Sequence, residues 1–281
     1  VPQLQVNKMI GALSFSAKGL KLPTNFELEP QWIKNKYVAS LPPEQRVAVP
    51  KLIPQWFKPQ LPVGPHQVGC DSIGQGWKDF HDTILDAVVY GHNMWRMQAK
   101  FGPMAIAGPV VAGTPGCLSG PPLEGLIKQY PACASMTPAQ TPYRDAVAGG
   151  VGKAFTLWQS TVTVPGLPLF PGYVMQPPGS AIPMPNIPQT LIACVSVNTV
   201  LLVVPASLKE LMLAVFKLGG RTPNDVDHAI FEAISTVLGL AFITWMSNQM
   251  VLNVVGSGAV ASPMGGPVAG VTLPTPGHLA T

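Results

Sequence analysis

Two long stretches of this chain, residues 154–208 and 233–281, contain no Lys, Arg, Asp or Glu, which leaves 104 of 281 residues without a charge among them. A soluble monomer keeps its exposed face dispersed by charge, so these stretches must be covered by something. The first carries nine prolines (Pro165, Pro168, Pro171, Pro177, Pro178, Pro183, Pro185, Pro188 and Pro205). That number excludes a single bilayer helix, which needs about 20 consecutive helical apolar residues. The remaining reading is surface covered by neighbouring subunits, as in a component of an assembly.

Charged residues make up 11% of the chain, and Pro (32) and Gly (28) together exceed a fifth of it, so irregular connections should be abundant. Apolar residues at 47% and a net charge of only +4 argue against intrinsic disorder. The length allows one large domain or two ordinary ones. Twenty-three of the 30 charges fall in residues 1–153, fourteen basic and nine acidic, with no run of like sign. Nucleic-acid binding calls for a clustered basic face with interleaved aromatics; none is present, and no nucleic-acid partner is expected. The sequence begins without a secretory pattern, so synthesis in a bacterial cytoplasm is expected. Cys70, Cys117, Cys133 and Cys194 have no zinc-ligand spacing. They read as isolated buried thiols, with a Cys117–Cys133 bridge as the alternative.

Residues 1–66 read as an extended N-terminal arm and residues 67–281 as a helical core. The arm repeats Pro30-Gln31-Trp32-Ile33-Lys34 as Pro54-Gln55-Trp56-Phe57-Lys58. Trp32 and Trp56 are candidate interface anchors, because an indole covers much apolar area with few rotatable bonds. Apolar periodicity predicts helices over about 75–101, 142–160, 207–218 and 223–252, with a shorter one at 123–130. Thr141-Pro142 and Thr222-Pro223 are read as helix starts. Val, Thr, Ile and Leu enrichment predicts strands at 160–164 and 191–204. The class is therefore α+β, with Pro/Gly-rich arms at 165–188 and 256–281. Pro165, Pro183 and Pro185 in the first arm are candidate contacts to neighbouring chains.

Three of the predicted helices align on Trp95, Trp158 and Trp245. Four residues before each stands Gly91, Ala154 or Ala241; seven before, Val88, Val151 or Leu238; eleven before, Ile84, Val147 or Ile234. Those offsets share one helical face. The face reads large, large, small, indole, with Gly91, Ala154 and Ala241 as close-packing candidates. Thirteen residues before each Trp is an acid, Asp82, Asp145 or Glu232, expected early in its helix where the dipole favours it. Internal duplication and three ordinary amphipathic helices both account for this alignment.

Catalytic patterns are weak. Gly149-Gly150-Val151-Gly152-Lys153 lacks the first Gly and the final Ser or Thr of a phosphate loop. Close helix packing is the better account of that run. Ser72 has no Gly two residues earlier and so makes no nucleophile elbow. His81, Asp82 and Asp86 read as a solvated helix start, and no second His stands at ligand spacing. No enzyme activity, cofactor or metal is expected.

The second half resembles structural proteins of bacteriophage virions and phage-tail-like particles. The resemblance lies in Trp158-Gln159-Ser160-Thr161-Val162-Thr163-Val164-Pro165-Gly166 with its proline arm, and in Asn248-Gln249-Met250 with the tail 256–277. It implies a non-enzymatic subunit of a virion or extracellular particle, packed among copies of itself and other particle proteins. The alternatives are a membrane-active or membrane-embedded protein, and an enzyme or ligand-binding domain with an unrecognised site. For the membrane reading, residues 233–255 are long enough to span, but they hold Ser235, Ser247, Asn248, Gln249 and Asn253.

Overall fold

The computed structural model describes residues 3–17, 64–169, 177–180, 182–260 and 266–279. The chain divides into two units, residues 1–18 with 80–281, and residues 19–79. Within the second, the described part is one helical stretch, residues 64–79, where Gln75 Nε2 donates to Asp79 Oδ1 at 2.6 Å. The fold is α+β.

The described elements run α1 (Lys8–Ala17), α2 (Gly64–Gln98), β1 (Lys100–Phe101), β2 (Ala105–Ala107), β3 (Val110–Gly113) and β4 (Leu118–Ser119). After α3 (Leu123–Lys128) and a 3-10 turn come α4 (Thr141–Thr161), β5 (Val164–Pro168), β6 (Gly179–Ser180) and β7 (Gln189–Thr190). A second 3-10 turn (Leu191–Ala193) leads to α5 (Thr199–Val203), α6 (Pro205–Leu218) and α7 (Asp225–Asn248). The chain then continues through β8 (Met250–Val251), β9 (Gly256–Val260) and β10 (Ala269–Thr272).

Local chemistry explains where several helices begin. Asn7 Oδ1 accepts from the Met9 and Ile10 amides and starts α1, so the segment expected to be an extended arm is helical over these ten residues. Trp32 and Trp56 lie outside the described residues. Helix α2 begins well before residue 75. Gly69, Gly74 and Gly76 are inside it, because glycine lowers helix propensity by only about 1 kcal/mol and Pro65 fits the first turn. Asp82 is therefore an interior helical residue rather than an early one. It meets the His81 ring at 3.0 Å. Neither Thr-Pro pair supplies a side-chain cap: α4 starts without one, and α7 is opened by Asn224, whose side chain accepts from the Val226 and Asp227 amides while Asp227 accepts from the Asn224 amide.

Residues 191–204 are not a strand. Ser196 Oγ donates to the Trp158 carbonyl and receives the Asn198 amide, and the Thr199 amide bonds to the Ser196 carbonyl. These local bonds turn the Val- and Leu-rich run into a 3-10 turn and α5. Helix α4 packs between α3 and α6 by glycine. A Cβ on Gly150 would stand 2.7 Å from Met212 backbone, and one on Gly152 would stand 2.8 Å from Glu124 Cβ. The glycine run is thus a packing surface.

The described parts of the Pro/Gly-rich arms contribute strands to the body's own sheet, against the expectation that they extend onto neighbouring chains. The sheet runs β5-β3-β2-β10-β9-β6, all neighbours antiparallel. Bridges Met184↔Gly256 and Leu169↔Asn186 continue β6 past β9 and onto the β5 side, which closes the strands into a ring. Proline is tolerated because its carbonyl still serves: Pro168 accepts from the Ile187 amide and Pro109 from the Leu169 amide. Pro165, Pro183 and Pro185 are exposed. Ile106, Val111, Val164, Leu167 and Val260 are buried, and Ala105, Ala107, Ala112, Ala259 and Ala269 are exposed. This is the period-2 burial of a sheet with one apolar face.

Candidate functional site

Helices α2, α4 and α7 bring Trp95, Trp158 and Trp245 together at the centre of the body, all three buried. Their ring centroids form a triangle with sides of 6.3, 6.1 and 5.9 Å, each pair near edge-to-face. Three residues before each Trp, on the same helical face, stand His92, Phe155 and Phe242. They form a second triangle with sides of 6.1, 6.2 and 6.0 Å. The alignment on Trp contained this position as well, and its signal was an aromatic ring in all three helices.

The small residues occupy the places their size permits. A Cβ on Gly91 would lie 2.9 Å from the Ile127 amide nitrogen, so α3 crosses α2 there with no room for a side chain. Ala154 and Ala241 are buried on the corresponding turns of α4 and α7. Beyond each Trp the correspondence continues. Ala99, Val162 and Gln249 four residues on, Phe101, Val164 and Val251 six on, and Met104, Leu167 and Val254 nine on are all buried.

Polar satisfaction differs among the three. Trp95 Nε1 donates to Gln159 Oε1 at 2.7 Å, and Trp245 Nε1 donates to buried Gln249 at 3.1 Å. Trp158 Nε1 and both nitrogens of His92 have no hydrogen-bond partner among the described residues. Burial pushes His92 down to about 3, helped by the Arg96 charge one turn away. His278 is also pushed down by burial, to about 4. It is neutral in this setting, with Nδ1 accepting from the Phe101 amide and Nε2 beside Thr275 Oγ1.

These groups form a packed core rather than a reactive cleft. Cys117, Cys133 and Cys194 are buried free thiols, with Cys117 Sγ against the Val162 carbonyl and Cys133 Sγ against the Ile127 carbonyl; Cys117 and Cys133 are not bridged. Burial pushes the Cys194 thiol up to about 12. Among the described residues no three His, Cys, Asp or Glu side chains gather as metal ligands. The acids that precede the three Trp residues pair with neighbours instead: Asp82 with the buried His81 ring, and, nearer the surface, Asp145 with Arg144 and Lys128 and Glu232 with Lys209.

Ile192, Val195, Val197, Val200, Leu240 and Ile243 are exposed, all within the charge-free stretches. Helices α5 and α7 meet where Gly239 faces the Val203 carbonyl, so Val200 and the Leu240/Ile243 pair flank one seam. A third charge-free stretch, residues 101–123, follows Trp95 just as the other two follow or include their Trp. Every described strand from β2 to β10 is free of charged residues. Helix α7 is long and apolar enough to cross a membrane, but 67% of its most apolar window is buried inside the protein.

Comparison with protein-family models, with curated proteins and with solved structures finds no match.

Proposed function

We propose that this chain is a non-enzymatic structural subunit of a large protein assembly, a phage virion or phage-tail-like particle, held by apolar contacts to copies of itself and other particle proteins. Its place of action is then the virion or extracellular particle. The observation that carries this reading is the exposed, charge-free apolar surface, with Ile182, Val195 and Val197 each more than half exposed. Apolar side chains at that exposure, with no charge nearby in sequence, lower their free energy by burial against another protein.

Sedimentation of the purified full chain across concentration and salt tests the proposal. Specific interfaces bury at least roughly 1,200 Å² in total, and contacts built on apolar burial persist at moderate salt where electrostatic ones weaken. Self-association that is insensitive to salt is the expected result. A clean monomer at micromolar concentration, with no detergent and no partner, overturns it. The same measurement in detergent separates this reading from a membrane one, in which detergent, and not protein, covers the apolar face.

A further inference from the structure

The ring of strands repeats three times. The first hairpin is β2–β3, the second is β5 with β6 and residues 182–187, and the third is β9–β10. Each follows one of the Trp helices. The second strand of each hairpin pairs with the first strand of the next: β3 with β5, β6 with β9, and β10 with β2. That is the order a threefold axis generates. The two aromatic triangles, with sides equal to within 0.4 Å and 0.2 Å, lie on the same three helices. The outward positions are small and uncharged in all three hairpins, as at Ala107, Ser180 and Ala259.

We propose that the outer face of this ring docks on a homotrimeric partner, with one copy of the chain on the partner's threefold axis. The inference rests on the structural-subunit reading and adds the symmetry and chemistry of the partner. A closed homotrimer presents three identical surfaces 120° apart. A single chain with three near-equivalent faces can engage all three at once, and having done so it leaves no face for a second copy. A monomeric partner, or one with twofold symmetry, would cover one face and leave the other charge-free faces in water. Because the ring carries no charge on its described strands and its exposed side chains are small or apolar, with Ile182 of the second hairpin the largest, the matching surface is itself uncharged and apolar.

The test uses the full chain, affinity-tagged and expressed in the cells that make it, with intact complexes weighed by native mass spectrometry. Expected is one copy of this chain with three copies of one partner. Ala107→Glu, Ser180→Glu and Ala259→Glu, one on each hairpin, should each reduce recovery of that complex at least about tenfold. Lys217→Ala on α6, away from the ring, should not. Thermal midpoints of the isolated variants establish that each still folds. One or two partner copies per chain, a second copy of this chain on the ring, no retained complex, or two of the three ring substitutions being silent overturns the proposal. Any of these results leaves the structural-subunit reading standing if the chain still self-associates in sedimentation, whereas a clean monomer removes that reading first.

Discussion

Protonating His92 would place a charge among Trp95, Trp245, Phe155 and Phe242, with the Arg96 guanidinium on the next turn. The folded chain therefore holds it neutral down to about pH 3, while the unfolded chain takes up the proton near 6.5. Between those values the unfolded state binds more protons, so stability is full above pH 6.5 and falls as the pH is lowered, levelling near pH 3. His278, held near 4, and His81, lowered chiefly by burial, act in the same sense. For His92 alone the loss is on the order of 3 kcal/mol by pH 4. Urea midpoints measured from pH 7 to pH 4 should fall, and His92→Phe should flatten part of that slope. The same variant should be more stable at pH 7 by about 1 kcal/mol, since it removes two unsatisfied buried nitrogens and restores the ring type of the other two helices. A variant with an unchanged slope would mean His92 reaches water. Among the indoles, Trp158→Phe should cost least, because its N–H has no partner to lose among the described residues. Trp245→Phe strands buried Gln249, and thermal midpoints rank the two.

At the scale of elements, the helices are held together by missing side chains as much as by present ones. Gly150→Ala drives a methyl into Met212 backbone at the contact of α4 with α6, where no flexible side-chain tip can give way. A loss of about 1–3 kcal/mol is expected, read as a lowered denaturant midpoint at unchanged slope. Ala154→Leu and Ala241→Leu, buried on the Trp-bearing faces, should cost a similar amount. Asn224→Ala removes the acceptor for two amides at the start of α7 and should cost about 1 kcal/mol. Asp227→Asn, which keeps the oxygen that accepts from the Asn224 amide, should cost less. Equal losses in both would place the energy in Tyr143 Oη donating to Asp227 rather than in the cap.

For the whole molecule, the exposed apolar side chains of α5 and α7 and the core beneath them are separable. Leu240→Glu with Ile243→Lys adds charge to the outer face of α7 at two exposed positions. The double variant should sediment as smaller species at a given concentration while its thermal midpoint stays within a few degrees of the parent. If it unfolds instead, those side chains belong to the core of the chain and not to an interface between chains.

The helical half of this architecture was legible in the sequence. A face with period 3.6 is a local property, and Ile84, Val88, Gly91 and Trp95 with their counterparts declared it without any partner being known. The aromatic place three residues before each Trp was written there too, hidden by the exchange of Phe for His at residue 92. Charge-free stretches marked surface in need of cover, and burial supplied by the chain's own folding accounts for part of that cover. What only the tertiary structure decided is strand pairing. The strands are two to five residues long and rich in Gly, Ala and Pro, so they carry almost no periodic signal, and their partners lie up to 160 or so residues away, as with Ala107 and Ala269. Hydrogen bonds between such distant segments are chosen by where the three helices deliver the chain, and the Trp triangle fixes that delivery. The prolines of 165–188 looked like an arm because proline donates no hydrogen bond; in the ring Pro168 takes part by accepting one from the Ile187 amide, a role that becomes visible only when the neighbouring strand is in place.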